Sequence, residues 1–70
     1  MHDALLTRLG KNLRLQRVTR GESQEEFAET LDVHRTRVGA LERGEANPTL
    51  RTVERLADRL EIDPSDLLRP

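Results

Sequence analysis

Residues 23–44 read SQEEFAETLDVHRTRVGALERG, and their spacing decides the fold. The opening Ser23-Gln24-Glu25-Glu26 has the form of a capping box. The Ser23 hydroxyl can accept from the Glu26 amide, and the Glu26 carboxylate can reach back to the Ser23 amide. Acidic residues in that first turn also suit the positive end of a helix dipole. Phe27, Ala28 and Leu31 then recur at helical spacing. Phe27 is the sole aromatic residue of the chain, which puts it at the centre of the expected core. Asp32-Val33-His34 breaks the pattern. Asp tolerates the left-handed region better than most residues, so it can turn the chain. A second helix is predicted over 35–43, with Val38 and Leu41 facing inward and Gly44 as its stop. Two short helices joined by a three-residue turn make a helix-turn-helix.

At about 100° per residue, the outward side of the second helix collects Thr36, Gly39, Ala40 and Arg43. Arg35 and Arg37 flank it at the N-terminal end. Small residues in the middle and arginines at the ends suit entry into a major groove, which is wide enough for a helix. Arginines at the N-terminal end lie where recognition helices reach base edges. Arg35 and Arg37 point about 200° apart, so they address different partners. Arg35 is assigned to a guanine O6/N7 edge, Arg37 to a neighbouring base or phosphate, and Thr36 to a thymine methyl or phosphate. A solvated Arg-Thr-Arg patch is the bland alternative. Against it, Gly39 costs about 1 kcal/mol relative to Ala inside a helix unless its small size is needed.

Working outward, residues 3–18 are predicted as the first helix, with Leu6, Leu9 and Leu13 on one face and Gly21 after it. Thr49 is expected to cap a fourth helix with Leu50, Val53, Leu56, Ala57 and Leu60 as its apolar stripe. Asp63-Pro64-Ser65-Asp66 opens an expected fifth, since Asp caps and Pro fits the first helical position. Ile62, Leu67 and Leu68 cluster there, either as core or as a dimer seam. The expectation is an all-α, five-helix fold forming one domain over 1–70, with the helix-turn-helix at about 23–43 and helices four and five at about 49–68.

The 70 residues carry a formal net charge of −1, unpromising for a DNA binder until it is resolved by segment. Residues 1–20 carry +4, residues 21–32 carry −5, residues 33–51 carry +2, and the remainder carries −2. Phosphates respond to local potential rather than to the sum. Eleven of the twelve basic residues are Arg, whose planar fork suits bidentate contacts. There is no cysteine, hence no disulfide framework and no thiolate nucleophile or ligand. His2 and His34 lack metal-ligand spacing. Glu25, Glu26 and Glu29 are better read as a helix N-terminus and solvated face than as a metal site. Ser23 is a cap rather than a nucleophile, since no base stands at a fixed spacing from it. No apolar run approaches the ~20 residues of a membrane span. A cytoplasmic protein without metal or cofactor, and not an enzyme, is expected.

The ordered set Ser23-Gln24-Glu25-Glu26-Phe27-Ala28, Val38, Leu41-Glu42-Arg43-Gly44 and Asn47-Pro48-Thr49-Leu50 resembles the lambda-repressor-like helix-turn-helix of the XRE family, from about Leu5 to Leu68. With His34-Arg35-Thr36 in so short a chain, it is similar in character to restriction–modification controller proteins. That resemblance implies a homodimeric transcription regulator on a pseudo-palindromic double-stranded DNA operator, acting on its own operon with RNA polymerase as a further partner. It implies base contacts from Arg35, Thr36, Arg37 and Ala40. It implies phosphate contacts from Gln24, His34, Arg43, Asn47, Thr49 and Arg51. Arg17 and Glu42 match an internal ion pair, and Ile62, Leu67 and Leu68 a dimer interface. Glu22, Gln16 and Asp32 depart from the family pattern, where an apolar staple, a core Leu and a turn Gly are usual. Arg37 stands where controller-like sequences often carry an aromatic. An antitoxin, or an interaction module that keeps the fold, is the alternative.

Overall fold

The computed structural model describes residues 4–70. The expected helix start at Asp3, and His2, lie outside them. Four α-helices run α1 Ala4–Arg20, α2 Gln24–Leu31, α3 Arg35–Glu42 and α4 Leu50–Leu60. The expected fifth helix is instead a single 3-10 turn, Pro64–Leu67. Asp63 caps it through the Ser65 amide at 2.9 Å, and Pro64 occupies its first position. Asn12 of α1 holds its exit. The Asn12 Nδ2 donates to the Leu67 and Arg69 carbonyls, both at 2.9 Å.

Helices α2, α3 and α4 begin, and all four α-helices end, on a local device. Ser23 caps α2 by accepting from the Glu26 amide at 3.0 Å, and Glu26 accepts the Ser23 amide at 2.8 Å. The backbone and hydroxyl of Ser23 hold the Glu26 carboxyl below its ordinary value. His34 caps α3, its Nδ1 accepting from the Thr36 amide at 3.2 Å. Thr49 caps α4 through the Thr52 amide at 3.1 Å. All four helices close with a paired backbone turn in which the second residue past the end, the third for α3, donates five residues back: Glu22 to Arg17, Val33 to Ala28, Glu45 to Ala40 and Ile62 to Ala57. Such turns need a left-handed residue. Gly21 and Gly44 supply it twice, and Asp32 and Glu61 adopt it at φ 58° and 59°.

The apolar stripes meet in one core. Leu9, Leu13, Phe27, Ala28, Leu31, Val38, Leu41, Val53, Leu56, Ala57, Leu60 and Leu67 are all buried, with Phe27 wholly so. Leu6 is only half-buried. α1 crosses the C-terminal end of α3 at Gly10, where a Cβ would lie 2.6 Å from the Leu41 and Glu42 carbonyl oxygens. The two backbones therefore touch directly, and this fixes where α3 sits. Gln16, at an expected core position, is half-buried. Glu22 fills the staple position with hydrogen bonds in place of apolar contact. Its carboxylate accepts from the Thr30 hydroxyl at 3.0 and 3.1 Å, and Arg20 lies 3.6 Å away.

Candidate nucleic-acid interface

α3 turns Val38 and Leu41 into the core and leaves Arg35, Thr36 and Arg37 exposed and Ala40 half-buried. The Ala40 carbonyl is occupied by the Glu45 and Ala46 amides at 2.9 and 3.3 Å. His34, Arg43, Asn47, Thr49, Arg51 and Gln24 are all exposed. A shallow notch runs between the start of α2 and the outward side of α3. Ser23, Gln24, Glu25, Arg35, Thr36, Gly39 and Arg43 line it. Of the residues assigned to bases and phosphates, Gln24, Arg35, Thr36 and Arg43 meet in this notch, whereas Arg37, Ala40, His34, Asn47, Thr49 and Arg51 do not line it.

Four hydrogen bonds hold that surface together. The Arg17 Nε donates to Glu42 Oε2 at 2.7 Å, and its Nη2 to Oε1 at 3.1 Å. A third Arg17 donor reaches the Glu22 carbonyl at 3.2 Å. Two parallel charge-assisted hydrogen bonds of this kind fix orientation as well as distance. The Glu42 hydrogen bond raises the Arg17 pKa above its ordinary value. The Gln24 amide also donates to Glu42 Oε1, at 3.2 Å. Glu42 therefore ties α1, α2 and α3 together from beneath the outward side, and its side chain is only 6% exposed. A carboxylate so placed is screened from an incoming phosphate.

The exposed arginines differ in their partners. Arg35 Nη1 meets Glu25 Oε2 at 2.9 Å, and Arg43 Nε meets Glu45 Oε1 at 2.9 Å. Both pairs are open to solvent and contribute about 0–1 kcal/mol each, so a phosphate or base edge can displace Glu25 from Arg35. Among the described residues Arg37 and Arg51 form no ion pair. Gly39 faces outward yet is buried. The Arg43 guanidinium covers it, with Nη1 2.9 Å from where a Cβ would stand.

Of the three residues expected at a dimer seam, Leu67 is wholly buried inside its own chain. It has no surface for a second copy, because Asn12 draws the 3-10 turn down onto α1. Ile62 and Leu68 remain half-buried. A different apolar surface stands out. Leu50 is 76% exposed and Leu5 55%, and they border a groove completed by Leu6, Leu9, Asn47, Pro48, Val53 and Leu68. Sequence reasoning put Leu50 on the buried stripe of α4. It lies at the first position of the helix, before the chain has turned under the core. The carboxylate partners Glu25 and Glu45 were also missed. Ten residues separate Glu25 from Arg35, and no periodicity links them. Glu45 stands two residues after Arg43, close enough to have been noticed.

A left-handed-turned pair of eight-residue helices, the second exposing arginines and locked from below, defines a DNA-binding helix-turn-helix of the transcription-regulator class. The chain belongs to the helix-turn-helix (HTH_3) family, whose profile matches residues 13–67. This is a family of transcription regulators and controller proteins, not of enzymes. Among its relatives, a hypothetical transcription factor of Neisseria meningitidis is 42% identical over 62 residues. The match covers 89% of this chain and 58% of the relative. The solved structure of the Neisseria factor superposes with a TM-score of 0.85 at 41% identity, covering 94% of this chain and 76% of that one. Control protein C.BamHI of Bacillus amyloliquefaciens is 37% identical over 60 residues, covering 84% of this chain and 74% of its own. The restriction–modification controller protein C.AhdI of Aeromonas hydrophila superposes with a TM-score of 0.78 at 39% identity, covering 89% of this chain and 94% of that one. Among the described residues no helix is long and apolar enough to cross a membrane.

Proposed function

We propose that this chain is a sequence-specific regulator of transcription that binds a pseudo-palindromic DNA operator as a homodimer, in the manner of a restriction–modification controller acting on its own operon. The observation that carries the reading is the outward side of α3. Arg35, Thr36 and Arg37 stand exposed at its N-terminal end, while Val38 and Leu41 anchor the opposite side. Sequence would be read by Arg35, Thr36, Arg37 and Ala40. Affinity would come from Gln24, His34, Arg43, Asn47, Thr49 and Arg51 on phosphates. RNA polymerase is the further partner that activation at a promoter would need.

Size supports the dimer. The longest dimension of one copy is 31 Å, and successive major-groove faces lie about 34 Å apart. One copy can enter one groove face, whereas two copies related by a two-fold axis can read two. The groove beside Leu5, Leu50 and Leu68 is the apolar surface best suited to a self-complementary contact.

Selection from a duplex library with a randomised core tests the reading. Wild type is expected to enrich an inverted repeat, and Arg35→Ala to lose about 1–3 kcal/mol of discrimination at one base position per half-site. Leu50→Asp is expected to shift sedimentation toward the monomer and weaken operator binding with it. Failure of wild type to enrich any duplex would end the proposal.

A further inference from the structure

The buried position of Gly39 has no explanation in the packing of α3 against the core, since the residue faces away from it. What covers it is Arg43. Nη1, Cζ and Nη2 lie 2.9, 3.8 and 3.9 Å from the point where a Cβ would stand. The guanidinium thus folds back across the helix from its C-cap position into the notch shared with Gln24, Arg35 and Thr36. Its Nε is taken by Glu45 Oε1 at 2.9 Å. That leaves the four donors of Nη1 and Nη2, the edge suited to a guanine O6/N7 pair.

We infer that Glu45 is a positioning residue that holds Arg43 over Gly39 for base reading rather than phosphate binding; this rests on the DNA-binding reading above. The physical reason is a division between charge and shape. A phosphate rewards net positive charge through counterion release, and an arginine paired with a carboxylate has little net charge to offer. A base edge rewards two donors at fixed separation, and the pairing leaves those intact and restricts their motion. Gly39 is the matching concession in the helix. Any side chain there would evict the guanidinium, so the position accepts the low helix propensity of Gly.

The inference reverses the phosphate role expected of Arg43 and makes separable predictions. The probes are the duplex that wild type enriches from a randomised library and a scrambled duplex of equal length. Glu45→Ala is expected to bind the scrambled duplex more tightly, with a log–log salt slope steeper by about 0.9, one added phosphate contact. Its preference for the enriched duplex is expected to fall about tenfold, the low end of a bidentate arginine contact. Glu45→Gln, which keeps an acceptor for Nε, is expected to recover part of that preference. Gly39→Ala is expected to melt at a higher temperature, because Ala favours helix and only the mobile end of Arg43 must move. It should nevertheless lose preference as Glu45→Ala does. A merely structural role for Gly39 cannot give both results. In an Arg43→Ala background neither substitution is expected to change preference further.

Unchanged preference and slope in Glu45→Ala, with wild type still selective, would overturn the inference and leave the DNA-binding reading standing. So would an effect of Glu45→Ala that survives the loss of Arg43. If wild type enriched no duplex, both would fall together.

Discussion

Replacing Glu42 by Gln or Ala tests how the recognition surface is held. The Glu42 carboxylate accepts two hydrogen bonds from Arg17, at 2.7 and 3.1 Å, and one from Gln24 at 3.2 Å. Its side chain is 6% exposed and that of Arg17 is 17% exposed. At an effective dielectric constant near 20, charges about 4 Å apart attract by about 4 kcal/mol. Desolvation offsets much of this, and breaking a fully buried pair from one side costs about 3–5 kcal/mol. Arg17 keeps some solvent contact and its bond to the Glu22 carbonyl. The expected loss for Glu42→Ala is therefore about 2–3 kcal/mol. For a domain this small that lowers the melting temperature by about 10–20 °C. Glu42→Gln is expected to lose less, since one Arg17 hydrogen bond survives. Replacing both partners with Met is expected to cost less than Glu42→Ala alone, because no stranded charge remains. Denaturant unfolding of Arg17→Met, Glu42→Met and the double variant gives the coupling energy directly. A coupling below about 0.5 kcal/mol would refute the claim that this pair holds α3 in place.

Gly10→Ala is expected to destabilise by about 1–3 kcal/mol despite the better helix propensity of Ala, because its Cβ would strike carbonyl oxygens of α3 at 2.6 Å. A melt at or above wild type would show that α1 and α3 separate freely. Glu61→Gly is expected to stabilise by up to about 1 kcal/mol, since Glu61 closes α4 at φ 59° and the left-handed region costs non-glycine residues about 1–2 kcal/mol, partly offset by the freer unfolded glycine. Chemical denaturation decides the sign. Hydrogen bonds from Ser23 hold the Glu26 carboxyl below its ordinary value, so the capping box adds stability above the ordinary carboxylate range and loses it as pH falls through the folded value. Glu26→Gln is therefore expected to narrow the stability gap to wild type on acidification; a constant gap across the acid limb of the melting profile would remove the carboxylate from that role.

The sequence alone determined the local structure of this chain. The Ser23–Glu26 box, the left-handed stops at Gly21, Asp32 and Gly44, and the cap at Thr49 act through neighbours within a few residues. Such signals are written in the order of the chain. Helical periodicity likewise settled that Val38 and Leu41 turn inward while Thr36 turns out, with Arg35 and Arg37 flanking it. Only the tertiary structure decided what depends on residues distant along the chain. The Asn12 clamp on Leu67 and Arg69 spans more than fifty positions, and the expected fifth helix and dimer-seam residue are a 3-10 turn and a core leucine. Gly10 has no meaning until α3 lies across it. The folded position of Arg43 depends on three-dimensional overlap with Gly39 as well as on the nearby Glu45. Periodicity reports which side of a helix a residue occupies, while the neighbours met on that side are set by how the helices cross.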